Sequence, residues 1–229
     1  MTAQHRTRRR ITDSEGNSSA VSWRRVVDAI VRKRGAVAPD RAVLVGLSGI
    51  DASGKGFITQ KLAERLRKVG WNVAAISADD WLNLPEVCIS RDNCAERFYK
   101  HAMRFDEMFG GLVIPLTENR EINITADCAD VKATTYRKHR YDFRKIDIVL
   151  LEGIFLFKLA YRHHFDLTIW IDCSFESALE RAIERGQEGL PPGETVRAFQ
   201  TIYFPAQEIH LARDHPHEAA DIIFLNDKL

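Results

Sequence analysis

Residues 49–56 read GIDASGKG, and this stretch decides the fold. Its first part, 49–55, matches G-x-x-x-x-G-K, in which the glycines permit tight bends and successive backbone N–H groups form an anion-binding nest. Lys55 adds a mobile positive charge for the β- and γ-phosphates of a nucleotide. The residues predicted to form this loop are Gly49, Ile50, Asp51, Ala52, Ser53, Gly54, Lys55 and Gly56. The alternative is an ordinary glycine-rich turn between a strand and a helix.

The flanking segments favour a phosphate-binding loop. Residues 42–46, AVLVG, are typical of a strand buried on both faces, and residues 57–69 have helical periodicity and end at Gly70. The helix N-terminus then adds its positive end to the anion site. One position departs from the motif, because Gly56 stands where Ser or Thr is expected to bind Mg²⁺. Mg²⁺ needs only one or two protein oxygens, so the sequence predicts a weakened or relocated metal.

Strands and helices alternate along the rest of the chain. Further strands are predicted at 71–76, 148–151, 167–171 and 220–225. Helices are predicted at 21–34, 94–109, 175–185 and 194–212, the second ending at Gly110-Gly111 and the last interrupted around Pro205. The polar stretch 112–145 is predicted to form short strands and loops. This alternation predicts an α/β fold, a three-layer αβα arrangement around a mostly parallel sheet.

The composition predicts one cytoplasmic domain. The 229 residues carry 33 Lys and Arg against 32 Asp and Glu, so the formal charge of +1 gives no global field for nucleic acid. No apolar run is long enough for a membrane, and four cysteines without a C-x-x-C pair predict reduced thiols. We expect a flexible basic tail over 1–20 and a single domain over 21–229. A homo-oligomer is left open.

Acidic residues follow two of the predicted strands. Asp79 and Asp80 come after the strand 71–76, and Glu152 comes after the strand 148–151. Ligands of doubly wound sheets sit at the carboxyl ends of the strands. Phosphoryl transfer needs a carboxylate to accept the proton of the acceptor hydroxyl and another near Mg²⁺. We therefore predict Asp79 as the base and as a metal-site residue, Glu152 as a metal-site residue and Asp80 as a substrate residue. Helix capping or a solvated loop is the alternative for Asp79 and Asp80.

Two arginines lie one helical turn apart beside a Gly/Pro-rich loop. Arg181 and Arg185 precede residues 186–193, which predicts a lid whose arginines close over a nucleotide. A salt-bridged exposed helix face, completed by Glu180 and Glu184, is the alternative.

Taken in order over about residues 40 to 226, these segments resemble the uridine kinase and phosphoribulokinase family of P-loop kinases, in its uridine-kinase-like branch. The segments that carry the resemblance are 49–55, Ser77-x-Asp79, Phe98–Ala102 with Phe105-Asp106, Leu151–Phe155, Trp170–Arg181, Tyr203-x-Pro205-Ala206 and Ala220–Ile223. The resemblance implies a nucleoside-monophosphate-kinase-like core with a lid over about 182–194 and a small substrate-binding insert over about 82–145. It also implies ATP, Mg²⁺ and a small-molecule acceptor phosphorylated on a primary hydroxyl.

The resemblance also implies roles for single residues. The catalytic aspartate of the family falls on Asp79, its second-strand glutamate on Glu152 and its helix arginine on Arg181. Asp106 matches the acid that holds ribose hydroxyls. The substrate residues predicted with it are Asp79, Asp80, Tyr99 and Tyr136.

This sequence departs from the family at the metal site, in the lid and where uridine kinases recognise the pyrimidine ring. Gly56 replaces the family's Ser or Thr, and Leu190 stands where the lid carries an arginine. Ala129 and Thr134 fall where uridine kinases read the pyrimidine with Tyr and His. A rebuilt pocket around Tyr136 or a solvated basic turn would account for the nearby residues equally well. Phosphoryl transfer is therefore better supported than uridine.

Three functional hypotheses follow. The first is a kinase of a nucleoside or similar metabolite. The second is a catalytically weakened nucleotide-binding sensor, favoured by Gly56 and Leu190. The third is a kinase of another acceptor, pantothenate-like or a sugar phosphate. A GTPase is disfavoured because no Asn/Thr-Lys-x-Asp guanine reader is present, and an AAA-type or transport ATPase because Glu152 is followed by Gly153.

Overall fold

The structure is a computed structural model, and it describes residues 22–88, 92–130, 133–186 and 189–227. The predicted tail 1–20 lies outside the described residues. The strands, numbered β1 to β7 along the described chain, are Val43–Gly49, Val73–Ser77, Ile122–Cys128, Arg137–Phe143, Ile148–Gly153, Leu167–Asp172 and Ile222–Leu225. Five of them form one parallel sheet in the order β2-β5-β1-β6-β7, and β3 pairs with β4 in an antiparallel hairpin.

Helices cover both faces of the parallel sheet. In the described residues, α1 to α10 are Trp23–Ala36, Lys55–Lys68, Pro85–Cys88, Cys94–His101, Phe105–Met108, Ile114–Asn119, Phe175–Arg185, Pro192–Ala198, Phe204–Asp214 and Pro216–Ala219. Short 3-10 turns lie at Ala78–Asp80 and Arg162–His164, and π-helical turns at Phe109–Val113 and Phe199–Tyr203. The predicted three-layer αβα fold is confirmed. None of the described helices is long and apolar enough to cross a bilayer.

The central strand β1 explains how the two faces are packed. All seven of its residues are buried, and alternate side chains enter opposite layers. Val45 and Leu47 join the core under α1 and α2, together with Ile30 and Leu62. Leu44 joins the larger core on the other face. Each fully buried aliphatic side chain contributes about 1.5–3 kcal/mol, so the strand holds both layers together and positions the loop that follows it.

The middle of the chain differs from the prediction. Gly110 and Gly111 were expected to end a helix, but they lie within the π-helical turn that joins α5 to α6. Buried Phe109 and Leu112 in this turn pack into the core, and this burial outweighs the low helix propensity of glycine. The break comes earlier, before α5, where the N–H of Arg104 bonds to the carbonyl of Trp81 at 2.9 Å.

Two further segments refine the sequence interpretation. The stretch 112–145, predicted as short strands and loops, contains helix α6 and two seven-residue strands paired from Ile122–Phe143 to Cys128–Arg137. The predicted interruption of the helix 194–212 is confirmed and lies at Phe199–Tyr203, just before Pro205. Proline has no N–H to continue the helical bonding pattern, which accounts for the irregular turn.

A buried hydrogen-bond network ties α4 to α9. The Tyr99 hydroxyl donates to Asp214 Oδ2 at 2.6 Å, and His210 Nδ1 lies 2.7 Å from the same oxygen. The Leu159 N–H donates to Asp214 Oδ1 at 3.0 Å. Burial alone would raise the pKa of Asp214, but these hydrogen bonds outweigh it and lower the pKa to about 2. The carboxylate is therefore ionised at neutral pH and depends on its donors.

We expect Tyr99→Phe to lower the free energy of unfolding by about 1–3 kcal/mol, because a buried carboxylate loses one of its donors. Urea-induced unfolding at pH 7 measures this change. Tyr161→Phe is the matched control, since its hydroxyl donates at 2.7 Å to Asp106, which is exposed and can turn to water. Equal losses in the two variants would contradict a structural role for the buried network.

Candidate active site

A cavity of about 670 Å³ lies at the carboxyl ends of β1, β2 and β5. The residues that line it come from the phosphate-binding loop, the strand ends and the surrounding helices: Asp51, Ala52, Gly54, Lys55, Gly56, Phe57, Ser77, Asp79, Leu82, Phe98, Glu152, Ile154, Arg181, Glu184, Arg185 and Tyr203. The cavity therefore brings together the predicted base, the predicted metal-site glutamate, the lysine and both arginines.

The loop between β1 and α2 has the backbone of an anion-binding nest. Ala52 and Gly54 take left-handed conformations, with φ of 55° and 90°. Only glycine fits at position 54, since a Cβ there would lie 2.5 Å from Asn226 Nδ2. That amide donates to the Ser53 carbonyl at 2.7 Å, so the segment that follows β7 braces the loop. Lys55 is buried and its Nζ donates to the Ile50 carbonyl at 2.8 Å.

The register between β2 and β5 brings the acids to one edge of the sheet. Ser77 pairs with Glu152, and its hydroxyl donates to Glu152 Oε1 at 2.6 Å. The turn after β2 carries Asp79 and packs tightly on Gly153, where an added Cβ would lie 2.6 Å from the Ala78 Cβ. Position 153 therefore needs glycine, because the turn after β2 comes too close to the end of β5 to leave room for a side chain.

The two carboxylates have different surroundings. Glu152 is buried, and burial together with the nearby charge of Asp79 raises its pKa to about 7, while Lys55 opposes the shift. Asp79 is exposed to solvent within the cavity. Removal of part of its water by the walls raises its pKa, and Lys55 and Arg185 oppose that rise.

The donor set fits a divalent cation. Two carboxylates with raised pKa values face one cavity, and a cation between them would relieve the burial cost and the repulsion that raise those values. In the described part of the chain, no group of three His, Cys, Asp or Glu side chains could hold a metal by itself. Mg²⁺ does not need such a group, because phosphate and water complete its coordination.

Gly56 leaves open space beside Glu152. A Cβ built at position 56 would have one neighbour within 4 Å, Glu152 Oε1 at 3.8 Å. A side chain here would therefore point at the carboxylate that we predict to hold Mg²⁺. Because the loop lacks this hydroxyl, we expect any oxygen ligands that the protein gives to Mg²⁺ to come from the ends of β2 and β5.

The two arginines have distinct environments. Arg181 Nη1 donates to the Ser53 carbonyl at 3.4 Å, and Nη2 donates to the Asn226 carbonyl, so this guanidinium lies against the phosphate-binding loop. Arg185 lies near enough to the acids for its charge to lower the pKa of both Asp79 and Glu152. Both line the cavity, as the lid hypothesis expects.

Four residues predicted to bind substrate do not line this cavity. Asp80 Oδ1 pairs with Arg137 at 3.3 Å, and Asp106 accepts from Tyr161. Tyr99 bonds to Asp214, as described above. The Tyr136 hydroxyl donates to Asn83 Oδ1 at 3.1 Å, and the Arg104 guanidinium lies 4.6 Å from the Tyr136 ring centroid. Substrate contact by these residues stays a prediction.

Sequence reasoning missed the apolar wall of the cavity. Leu82, Phe98, Ile154 and Tyr203 lie on this wall. Phe98 and Tyr203 pack with ring centroids 5.1 Å apart, although they are 105 positions apart in sequence. Both belong to segments quoted for the family resemblance, so that signal could have identified them. No sequence pattern around Leu82 or Ile154 predicts that these residues line the cavity.

Comparisons with known proteins agree with this fold. No family model matches the chain. A uridine kinase from Shewanella pealeana is 23% identical over 168 residues, which cover 70% of this chain and 76% of that protein. A Bacillus stearothermophilus structure described as a possible uridine kinase superposes with a TM-score of 0.65 at 20% identity, covering 88% of this chain and 98% of that one. D-glycerate 3-kinase from Cryptococcus neoformans superposes with a TM-score of 0.61 at 13% identity, covering 81% and 87%.

These similarities confirm the resemblance to uridine-kinase-like P-loop kinases and the predicted fold. At such low sequence identities the solved structures establish the fold of this chain, but their substrates cannot be assigned to it.

We expect Gly56→Ser to tighten binding of Mn²⁺, a probe for Mg²⁺, about tenfold in the presence of a non-hydrolysable ATP analogue. The added hydroxyl would lie beside Glu152 and supply the missing oxygen ligand. Titration followed by Mn²⁺ electron paramagnetic resonance measures this. Gly110→Ser is the matched control, because position 110 lies outside the cavity lining and an added Cβ there meets nothing within 4 Å. Unchanged or weaker Mn²⁺ binding in Gly56→Ser would contradict the placement of the metal.

We expect Glu152→Gln to raise the melting temperature relative to wild type more at pH 8 than at pH 6, in metal-free buffer. The folded-state pKa of about 7 lies above the ordinary value of 4.5, so Glu152 costs stability as the pH rises through 7. The variant has no charge to bury at position 152, its loss also lowers the repulsion that Asp79 feels at high pH, and titrations of distant groups cancel in the comparison. Differential scanning fluorimetry at the two pH values measures it. An equal difference at both pH values would mean that Glu152 is not protonated in the fold near neutrality.

Proposed function

We propose that this protein is an ATP-dependent phosphotransferase, a kinase that moves the γ-phosphate of ATP to a hydroxyl of a nucleoside or a similar metabolite. The observation that carries the proposal is the convergence of Lys55, Asp79 and Glu152 on one cavity beside a phosphate-binding loop. The kinases among its relatives add support.

Each polar group has a proposed role. The N–H groups of the loop and Lys55 bind the β- and γ-phosphates, and Arg181 and Arg185 neutralise charge that develops during transfer. Glu152 and Asp79 hold Mg²⁺, directly or through water. When bound, Mg²⁺ would neutralise phosphate charge and orient the γ-phosphate.

The acceptor hydroxyl oxygen forms a bond to the γ-phosphorus while the bond from that phosphorus to the bridging oxygen breaks. ADP leaves with the electron pair of the broken bond, and the hydroxyl proton passes to Asp79. Asp79 suits this role because its carboxylate is exposed to the cavity, whereas Glu152 is buried and already accepts a hydrogen bond from Ser77.

The acceptor is proposed by class. The relatives are named for uridine, for D-glycerate and, in a candidate kinase from Silicibacter sp. TM1040, for fructose transport, so they do not agree on a substrate. The aromatic pair Phe98 and Tyr203 favours an acceptor with a flat or apolar face. We propose that residues of the insert 82–145 hold this acceptor and that residues 182–194 form the lid.

A second candidate function is a nucleotide sensor with weakened catalysis. Gly56 favours it, because the loop lacks the hydroxyl that would bind Mg²⁺. The retained base and the phosphate-binding lysine favour the kinase, since nucleotide sensing needs no proton acceptor beside an acceptor pocket.

We expect ADP release by the wild type with ATP and Mg²⁺ to depend on an acceptor, in a panel of uridine, cytidine, pantothenate, ribulose 5-phosphate and water. Asp79→Asn should lower kcat about 10²–10⁴-fold because the proton acceptor is lost. Lys55→Ala should abolish turnover through lost phosphate contacts. Glu64→Gln, on an exposed pair with Lys61 outside the cavity, is the control. Tight ATP binding with no acceptor-dependent turnover would instead support the sensor.

A further inference from the structure

Asn226 directly follows β7 and contacts the peptide unit that joins Ser53 to Gly54. Its side-chain amide donates to the Ser53 carbonyl at 2.7 Å. The same nitrogen packs against the next residue, since a Cβ built at Gly54 would lie 2.5 Å from it. Arg181 Nη1 also donates to the Ser53 carbonyl, at 3.4 Å. The amide of Asn226 is therefore the closer of the two side-chain donors that orient this peptide unit.

The orientation of this peptide unit decides where the Gly54 N–H points. In a trans peptide the C=O and the N–H of one unit point in opposite directions, and no peptide bond of the described residues is cis. Neither Asn226 nor Ser53 belongs to the described lining of the cavity, whereas Gly54 does. A Ser53 carbonyl that is drawn toward Asn226 therefore turns the Gly54 N–H toward the cavity.

The Gly54 N–H is available to a phosphate oxygen. Gly54 is the N-cap of α2, and the first N–H groups of a helix have no acceptor within that helix. No other acceptor for this N–H is found in the described residues. A hydrogen bond to an ionised oxygen is about twice as strong as one between neutral groups. Turning this N–H away from the cavity should therefore lower the affinity for phosphate.

The backbone of Asn226 is itself held in place. Its N–H donates to the Asp172 carbonyl at 2.8 Å, and its carbonyl accepts from Arg181 Nη2. The next residue is also fastened, because Asp227 Oδ1 accepts from the Ser174 N–H at 3.0 Å, just before α7. The amide thus reaches the loop from a fixed backbone. A donor that is already ordered costs little entropy when a ligand binds.

We propose that Asn226 is a positioning residue for phosphate binding, whose amide holds the Ser53–Gly54 peptide so that the Gly54 N–H faces the phosphates. This inference rests on the proposed function above, because it takes the loop to bind the phosphates of ATP. Asn226 itself does not touch the phosphates in this role. A residue that only stabilised the fold would have no selective effect on phosphate affinity.

We expect Asn226→Ala to weaken the binding of a non-hydrolysable ATP analogue and of inorganic tripolyphosphate by the same factor, about tenfold. This is the lower end of the range for a hydrogen bond to a charged group, because Arg181 still holds the carbonyl. Tripolyphosphate has no nucleoside, so an equal loss places the effect on the phosphates. Isothermal titration calorimetry with Mg²⁺ present measures both affinities.

Asn72→Ala is the matched control. The Asn72 side-chain amide also donates to a backbone carbonyl, that of Arg144 at 2.8 Å. It lies just before β2, at the end of the sheet opposite the cavity. Its loss should cost stability without weakening either probe, and melting temperatures confirm that both variants are folded.

The Gly54 N–H can be observed directly by nuclear magnetic resonance. Labelling with carbonyl-¹³C serine and ¹⁵N glycine selects glycines that follow serine, and the sequence has two such pairs, 48–49 and 53–54. Gly49 pairs with Ile171 in the sheet and serves as the internal reference. We expect the ATP analogue to move the Gly54 amide proton downfield in the wild type, because a hydrogen bond to phosphate deshields it. Asn226→Ala should reduce this movement.

The outcomes separate this inference from the proposed function. Unchanged affinities in Asn226→Ala, an equal loss in Asn72→Ala, or a loss confined to the ATP analogue would each overturn the positioning role and leave the kinase intact. Phosphate binding that depends on Asn226, in a protein without acceptor-dependent turnover, would support this inference and overturn the kinase. A wild type that binds neither probe would overturn both.

Discussion

The contact between the ends of β2 and β5 is the constraint on which the site depends. Glu152 is buried, and burying a carboxylate is costly unless hydrogen bonds and nearby cations compensate for the lost water. The Ser77 hydroxyl at 2.6 Å and the charge of Lys55 provide that compensation. Gly153 lets the turn carrying Asp79 come close enough to share the cavity. The compensation is incomplete, because the pKa of Glu152 is still raised. A bound cation would lower that pKa again.

The phosphate-binding loop is supported from outside its own sequence. The Asn226 side chain donates to the Ser53 carbonyl, and Arg181 donates to carbonyls of both residues. Asn226 directly follows β7, the edge strand of the sheet, so the sheet and the loop stabilise each other. The buried Tyr99–Asp214 hydrogen bond similarly fastens α4 to α9. Phe98 of α4 and Tyr203, which directly precedes α9, belong to the apolar wall.

Two residues of the loop depart from what phosphate and metal binding alone would select. Gly56 removes an oxygen ligand and leaves space beside Glu152, and Asp51 adds a negative charge held by Gln207. Asp51 alters the charge of the cavity, and Gly56 alters its oxygen donors. We therefore expect the loop to keep its capacity for anions and the proposed metal position to shift toward Glu152.

The sequence by itself determined the αβα fold, the phosphate-binding loop and the candidate acids, because apolar runs, helical periodicity and glycine spacing are local signals. Tertiary structure decided the rest. Gly110 and Gly111 stay within a helical run because burial of Phe109 and Leu112 outweighs glycine's local preference. Tertiary structure also decided that Tyr99 contacts Asp214 and that Phe98 packs on Tyr203, 105 positions away. Such contacts depend on how helices dock on the sheet, and no local pattern records which face of a helix will meet which partner.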